Sequence, residues 1–342
     1  MSIPLNFETS DPSSISLQGE ALSSFVHQAA IVLQTTLNEA EKTSSGWTNQ
    51  PLGDALVDVA VTQCLAALET TGCVGPANRL PSSRLWNLLG EQLQHSWLVN
   101  RARNKPRGYA GDFELLEWIC EDRVCDHPFG RTVDRFFQNQ AAPHAVRART
   151  SLIAGAMAHH LLSSPEPTFT IASVGSNSAA DVYRGLQTLS VEQHARCQVV
   201  LLDLDPAAIE FGCKRLAPYL PHDRLAGRQV NLKRLNRLAE VLPDTDFLTC
   251  PGLFDYLNDE DAAKVLSLFW SRLKSRGAMM VGNFAPWHPT RSYMEWFGNW
   301  YLIYRTRDQL RNLALSAGIP EYAFTVSAER FGIDLFLTAY KF

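Results

Sequence analysis

The sequence predicts an α/β protein in which an all-helical N-terminal region precedes an open, mostly parallel β-sheet. Three observations carry this expectation. Up to Pro167 every apolar pattern has helical spacing. After Phe169 short apolar runs of strand type alternate with helical stretches, and the last two runs are joined by a turn too short for a crossover. Continuously apolar strands separated by helices are covered on both faces, so they run parallel and bind ligands at their C-terminal edge. The domain boundary is placed accordingly, with residues 1–165 as a helical lid or substrate region and 166–342 as the ligand-binding sheet.

Composition excludes several classes. A hydrophobic fraction of 46% and a charged fraction of 19% over 342 residues describe a globular chain with ample core. A net charge of -4 and a pI near 6.1 leave no electrostatic footprint for nucleic acid. The basic clusters Arg101 to Arg107 and Arg228 to Arg237 read as solvated faces. The seven cysteines are scattered, without a Cys-x-x-Cys pair or other metal-ligand spacing, so free thiols and no metal are expected. Met1 to Ser14 lacks a basic start followed by an apolar run, and no stretch of about 18 apolar residues is read anywhere. The expectation is a cytoplasmic protein acting on a small-molecule substrate, with neither nucleic acid nor membrane as partner.

In order, residues 1–17 read as a polar leader, and Leu17 to Lys42 and Leu52 to Glu69 as amphipathic helices joined by a connector from Thr43 to Pro51. Ser82 to Asn100 reads as one further helix, with Leu85, Leu89, Leu93 and Trp97 on its apolar side. Pro106, Gly108 and Gly111 then break the pattern. The loop they form carries Tyr109 and Asp112, and Asp112 reads both as the cap of a helix from Phe113 to Glu121 and as a lid residue over a ligand. Helices follow from Thr132 to Gln140 and from Pro143 to Leu162. Strands are then expected at Phe169 to Val174, Gln198 to Leu204, Arg228 to Leu232, Asp246 to Cys250, Gly277 to Asn283, Ala323 to Ser327 and Ile333 to Tyr340. The intervening helices include one long helical section from Arg291 to Ala317. A parallel sheet that ends in an antiparallel hairpin is the layout of S-adenosylmethionine-dependent methyltransferases, and it suits hydride-transferring folds less well.

The first strand breaks at Gly175 into Gly-Ser-Asn-Ser-Ala-Ala-Asp181, a turn that brings backbone and a helix N-terminus close to a ligand. The second strand ends in Asp203-Leu-Asp-Pro206. A carboxylate at that edge suits a ribose diol, which is the role read for Asp203, while Asp205 before Pro206 reads as a helix cap. After the fourth strand Pro251 and Gly252 shape a turn in which Phe254, Asp255 and Tyr256 are placed to line a pocket. The aromatic stretch Tyr293 to Arg305, read as helical, offers with Tyr109 an aromatic enclosure for a sulfonium cation.

Lys105-Pro-Arg-Gly-Tyr-Ala-Gly-Asp112, Gly252-Leu-Phe-Asp-Tyr-Leu257, Gly282-Asn-Phe284 and Met294-Glu-Trp-Phe-Gly-Asn-Trp-Tyr-Leu-Ile-Tyr-Arg305 resemble the hallmark segments of bacterial class I methyltransferases. The branch is that of the 3-hydroxypalmitic acid methyl ester biosynthesis enzymes, and the chain is also similar to azetidine-2-carboxylic acid synthases. The resemblance runs from about Asn104 to the C-terminus. It implies a Rossmann-like seven-stranded methyltransferase sheet behind a helical lid domain, with S-adenosylmethionine as methyl donor or as substrate. By the same resemblance Gly175, Ser176 and Asn177 hold the methionine part, Asp203 the ribose, Asn231, Pro251 and Gly252 border the adenine, Leu204 is a further cofactor contact, and Tyr109 and Asp112 close the site. Two reactions stay open: methyl transfer to a carboxylate or hydroxyl, and ring closure by the cofactor's own amine; a non-catalytic S-adenosylmethionine-binding regulator is the third reading, against which Asp203, the lid and the full sheet speak. For the second, Asn139, Asn177, Tyr183 and Tyr304 are the candidates to orient the amine and carboxylate. Where such families often show Gly-Ser-Gly-Pro, this chain has Gly-Ser-Asn-Ser at 175–178.

Overall fold

The computed structural model describes residues 19–44 and 50–342. The expected polar leader and the middle of the first connector lie outside them. Seven strands form one sheet: β1 (Phe169–Val174), β2 (Cys197–Asp203), β3 (Leu225–Gln229), β4 (Thr245–Cys250), β5 (Leu273–Phe284), β6 (Phe324–Ala328) and β7 (Asp334–Tyr340), in the order β3-β2-β1-β4-β5-β7-β6. Neighbours among β1 to β5 are parallel. β7 runs antiparallel to both β5 and β6, which gives the expected C-terminal hairpin.

Every residue of β1 and β4 is buried, because these central strands are covered on both faces. Alternate residues feed two cores. Ala172, Val174, Leu248 and Val281 pack with the helices Asp259–Arg272 and Arg307–Ser316, whereas Ile171, Leu201, Phe247 and Met280 pack with Ala141–Ser163 and Ala180–Gln187. With both faces closed, the C-terminal strand edge is where loops are free to build a site.

The chain forms two compact units, each discontinuous in sequence. One comprises the described residues up to Asn100, Cys125–Phe136 and Ser292–Tyr301. The other comprises Arg101–Val124, Phe137–Arg291 and Leu302–Phe342, and it holds the whole sheet. In the first unit the helices Gly19–Ser44 and Gln50–Glu69 bury Leu33, Leu37, Val57, Val61 and Leu68. Gln50–Glu69 has an 18-residue window of mean hydropathy 1.4, long and apolar enough by composition to cross a membrane, although 39% of that window is buried inside the protein. Asp54 and Asp58 interrupt it, so it is not an unbroken apolar run of the kind expected to be absent.

Three further differences have local causes. The expected helix Ser82 to Asn100 is two, Arg79–Leu93 and Trp97–Asn104, because Ser96 accepts the Val99 N–H and donates to Asp134 Oδ1, which also takes the Leu98 N–H. β3 lies three residues earlier than expected, since Val230 and Leu232 are buried in a turn rather than in a strand. Asn231 Oδ1 closes that turn on the Lys233 N–H. The section from Arg291 to Ala317 is helical only over Arg291–Trp296 and Arg307–Ser316. Asn299 takes a left-handed φ of 47°, and the chain then continues without regular structure, with the Ile303 N–H on the Asp255 carbonyl and the Arg305 N–H on the Phe284 carbonyl.

Candidate functional site

At the C-terminal edge of the parallel strands lies a cavity of about 310 Å³, lined wholly by residues of the sheet-bearing unit. Gly175 and Asn177 after β1 line it, with Asp203 and Leu204 after β2, Asn231 to Lys233 after β3, and Gly252, Leu253 and Tyr256 after β4. Tyr109 to Gly111 cover it from the loop ahead of the helix Phe113–Cys120. Eight residues named from sequence therefore meet here: Tyr109, Gly175, Asn177, Asp203, Leu204, Asn231, Gly252 and Tyr256.

The loop after β1 winds through three left-handed residues, Gly175 (φ 64°), Asn177 (47°) and Ala179 (52°). Only the first is glycine. Asparagine tolerates this conformation because its short amide bonds locally, and here Asn177 Nδ2 donates to the Gly175 carbonyl at 3.0 Å. The Gly-Ser-Asn-Ser departure thus keeps the backbone path that a glycine would take. The Asn177 N–H is freed for Asp203 Oδ2, at 2.8 Å, while Asp203 Oδ1 accepts the Asp205 N–H at 3.0 Å. A carboxylate has about four acceptor positions. Two backbone donors hold Asp203 in place, and two positions remain for a ligand. Burial, and then the neighbouring Asp205 charge, push its carboxyl up, against the pull of the Asp205, Asn177 and Leu204 N–H groups.

Asp205 caps the helix Pro206–Leu216 through Ala207 N–H, as read from sequence. It also accepts the Tyr109 hydroxyl at 3.3 Å and Arg107 Nη1 at 3.1 Å. Burial, followed by the charges of Asp203, Asp205 and Asp112, drives the Tyr109 phenol far up, so it stays protonated and donates.

Asp112 takes the capping half of its expected double role. Its Oδ1 accepts the Leu115 N–H, Arg101 Nε lies 2.7 and 2.9 Å from its two oxygens, and it does not line the cavity. Ser176 and Pro251 line a recess of about 30 Å³ that shares Asn177 with the main cavity and includes Arg149 and Asp181. Ser176 Oγ is buried there with no partner among the described residues. Asn139 is exposed just past the helix Pro128–Gln138. Tyr183 stacks under Arg215, and Tyr304 lies between His288 and Arg291. None of these three lines the cavity or the recess. The aromatic enclosure expected from Tyr293 to Arg305 is likewise corrected: the cavity's aromatic rings are Tyr109 and Tyr256, while Trp296 and Phe297 are core.

Behind the loop after β4 sits a buried ionic network that was not read from sequence. Arg149 Nη1 donates to the Pro251 carbonyl at 3.0 Å and to Asp334 Oδ2 at 2.9 Å. Asp255, expected to line the pocket, instead accepts Asn283 Nδ2 and the Phe284 N–H, both at 2.8 Å. Burial pushes both Asp255 and Asp334 up. A Cβ at Gly252 would lie at ordinary contact distance, 3.8 Å, from Nη2 of the buried Arg149. The signal for Arg149 was available: it shares a helix face with the buried Ala145 and Ile153 at four-residue spacing, where a lone charge calls for a partner. Among the described residues no group of three or more His, Cys, Asp and Glu side chains could hold a metal ion.

No family model matches the chain, and no curated protein matches it in sequence. Solved structures do. A possible exported protein from Bordetella parapertussis superposes with a TM-score of 0.54 at 17% identity, over 92% of this chain and 96% of that one. The CurJ carbon methyltransferase superposes with a TM-score of 0.50 at 9% identity, over 94% and 96%. The fold is a methyltransferase fold. At these identities the likeness is one of architecture, and it agrees with the seven-stranded sheet and helical N-terminal region read from sequence.

Proposed function

We propose that the cavity binds S-adenosylmethionine and that the protein transfers its methyl group to a carboxylate or hydroxyl of a small metabolite, as in the 3-hydroxypalmitic acid methyl ester branch. One observation carries the reading. Asp203, fixed at the end of β2 by two backbone N–H groups, keeps acceptor capacity toward a cavity bordered by the left-handed Gly175 turn. That pairing suits a ribose diol beside a short, close-approaching loop.

In this reading Asp203 accepts the ribose hydroxyls, and Asn231 to Lys233 with Leu253 border the adenine. The amino-acid tail points toward the recess, whose volume of about 30 Å³ admits no more than one of its polar ends beside the unpartnered Ser176 Oγ. Tyr109 and Tyr256 supply ring faces, worth about 0.5–2 kcal/mol each toward a cation. When bound, S-adenosylmethionine supplies a methyl group already activated on sulfonium sulfur. The chain's own contribution is then orientation and exclusion of water.

A second reading, cyclisation of S-adenosylmethionine to azetidine-2-carboxylate with release of methylthioadenosine, is favoured by the size of the cavity. At about 310 Å³ it is at the small end of ligand sites. A dry, aromatic surround also lowers an amine's pKa, which favours the neutral nucleophile.

Mass spectrometry after incubation with S-adenosylmethionine separates the readings. S-adenosylhomocysteine that forms only when a metabolite extract is added is the expected result. Methylthioadenosine from the cofactor alone identifies cyclisation, and no binding by calorimetry sinks both.

A further inference from the structure

We propose that Asp205 is a positioning residue that seats Tyr109 over the cavity, and that its ion pair with Arg107 is the latch that must break for the ligand to exchange. The proposal rests on the reading above only for the identity of that ligand. Residues 105–111 form a strap with left-handed backbone at Lys105 (φ 47°), Gly108 (82°) and Gly111 (66°). Two of the three are glycines, so the strap can change direction at its middle, Gly108, and at its Gly111 end at little steric cost.

The strap is fastened on opposite sides of the cavity. On the β2 side Arg107 Nη1 reaches both Asp205 oxygens, at 3.3 and 3.1 Å, and the Tyr109 hydroxyl reaches Oδ2 at 3.3 Å. On the β4 side the Tyr256 hydroxyl donates to the Ala110 carbonyl at 3.3 Å. Between these points Tyr109, Ala110 and Gly111 line the cavity. All three contacts at 3.3 Å are long for hydroxyl or charged donors, so of these four contacts the 3.1 Å ion-pair contact is the strongest.

Arg107 does not swing freely. Its Nη2 bonds Glu114 Oε1 and its guanidinium carbon lies 4.5 Å from the Phe113 ring centre. Arg107 is therefore braced from the start of the helix Phe113–Cys120, so its pairing with Asp205 is made by a side chain held in place. The Asp205 side chain is 8% exposed and that of Arg107 25%, so the pair is partly shielded from solvent and salt. Asp205 also donates its own N–H to Asp203 Oδ1. One three-residue turn thus presents one carboxylate to the ligand and the next to the strap, which couples ligand capture to closure.

Asp205→Asn keeps a good helix cap and removes the charge facing Arg107. Arg107→Met tests the same pair from the other side. In the full chain, dissociation of S-adenosylmethionine followed by surface plasmon resonance is expected to be about 10-fold faster in each variant, the size of a lost charge-assisted bond. The double variant is expected to be no faster than either single one. Amide hydrogen exchange of the free protein is expected to speed up over residues 105–111 and to be unchanged over Pro206–Leu216. Unchanged exchange over the strap in both variants overturns the latch, as do additive effects on dissociation. A wild-type protein that does not bind S-adenosylmethionine overturns the functional reading, and the exchange measurement still decides the latch.

Discussion

At the scale of single residues, the groups that set this protein's chemistry are those whose polar atoms are placed before any ligand arrives. Asp203 is one, held by two N–H groups. His288 is the opposite case. Its imidazole is 4% exposed between Phe284 and Tyr304, and neither nitrogen has a partner among the described residues. Burial, and then the charge of Arg291, lower its pKa to about 4 from the ordinary 6.5. Below pH 6.5 the unfolded chain takes up a proton that the folded chain refuses until about pH 4. The stability tied to His288 is therefore fully present above 6.5 and is lost as pH falls through that window, by about 3 kcal/mol in all. Urea unfolding at pH 7 and at pH 4.5 checks this: His288→Phe is expected to lose less stability between the two than the wild type, and equal losses would refute it. Nothing in Pro286-Trp-His-Pro289 announced this, because a histidine between prolines reads as a loop until tertiary packing buries it.

At the scale of elements, the sequence was most readable where hydrophobic periodicity alone decides structure. The strands β1, β2 and β4 were placed to within one residue, because central parallel strands are buried and apolar, whereas β3, which has no buried residue, was placed three residues late. It was least readable where a side chain far away in sequence overrides the local pattern, and the segment around Arg305 shows why. Aromatic spacing from Tyr293 onward suits a helix, yet Arg305 is drawn into the core, 2% exposed, and ends the helical path. Its Nη1 donates to the Phe254 carbonyl (2.8 Å) and Asn283 Oδ1 (2.7 Å), and its Nη2 to the Leu257 carbonyl (2.7 Å). The carboxylate of Asp259 pairs with it too, but is 80% exposed and contributes little. Arg305→Met keeps the volume and strands three buried acceptors, each costing about 1–3 kcal/mol when unsatisfied. A loss of about 3 kcal/mol or more in denaturant unfolding is expected. A loss under about 1 kcal/mol would show that the loop after β4 holds itself.

At the scale of the whole molecule, the site could be inferred before its contents because the sheet topology fixes where loops converge. In the order β3-β2-β1-β4-β5 the ends of β1, β2 and β4 are neighbours, which places Gly175, Asp203 and Gly252 on one edge although 77 residue positions separate the first from the last. What topology could not give is how far the site extends along the chain. The expected boundary at 165/166 assigned Tyr109 to a separate helical region, whereas residues 101–124 fall in the same compact unit as the sheet. Every residue lining the cavity belongs to that unit, so ligand binding energy should appear there first. At a concentration 100-fold above its dissociation constant a ligand adds about 2.7 kcal/mol to whatever it binds. In amide hydrogen exchange, S-adenosylmethionine is therefore expected to slow amides of the strap and of the β1, β2 and β4 ends, by up to about 100-fold where exchange requires this unit to open. The helices Gly19–Ser44 and Gln50–Glu69 are expected to exchange at unchanged rates. Slowing confined to those helices would place the ligand outside the cavity and remove the ground for assigning Asp203 to it.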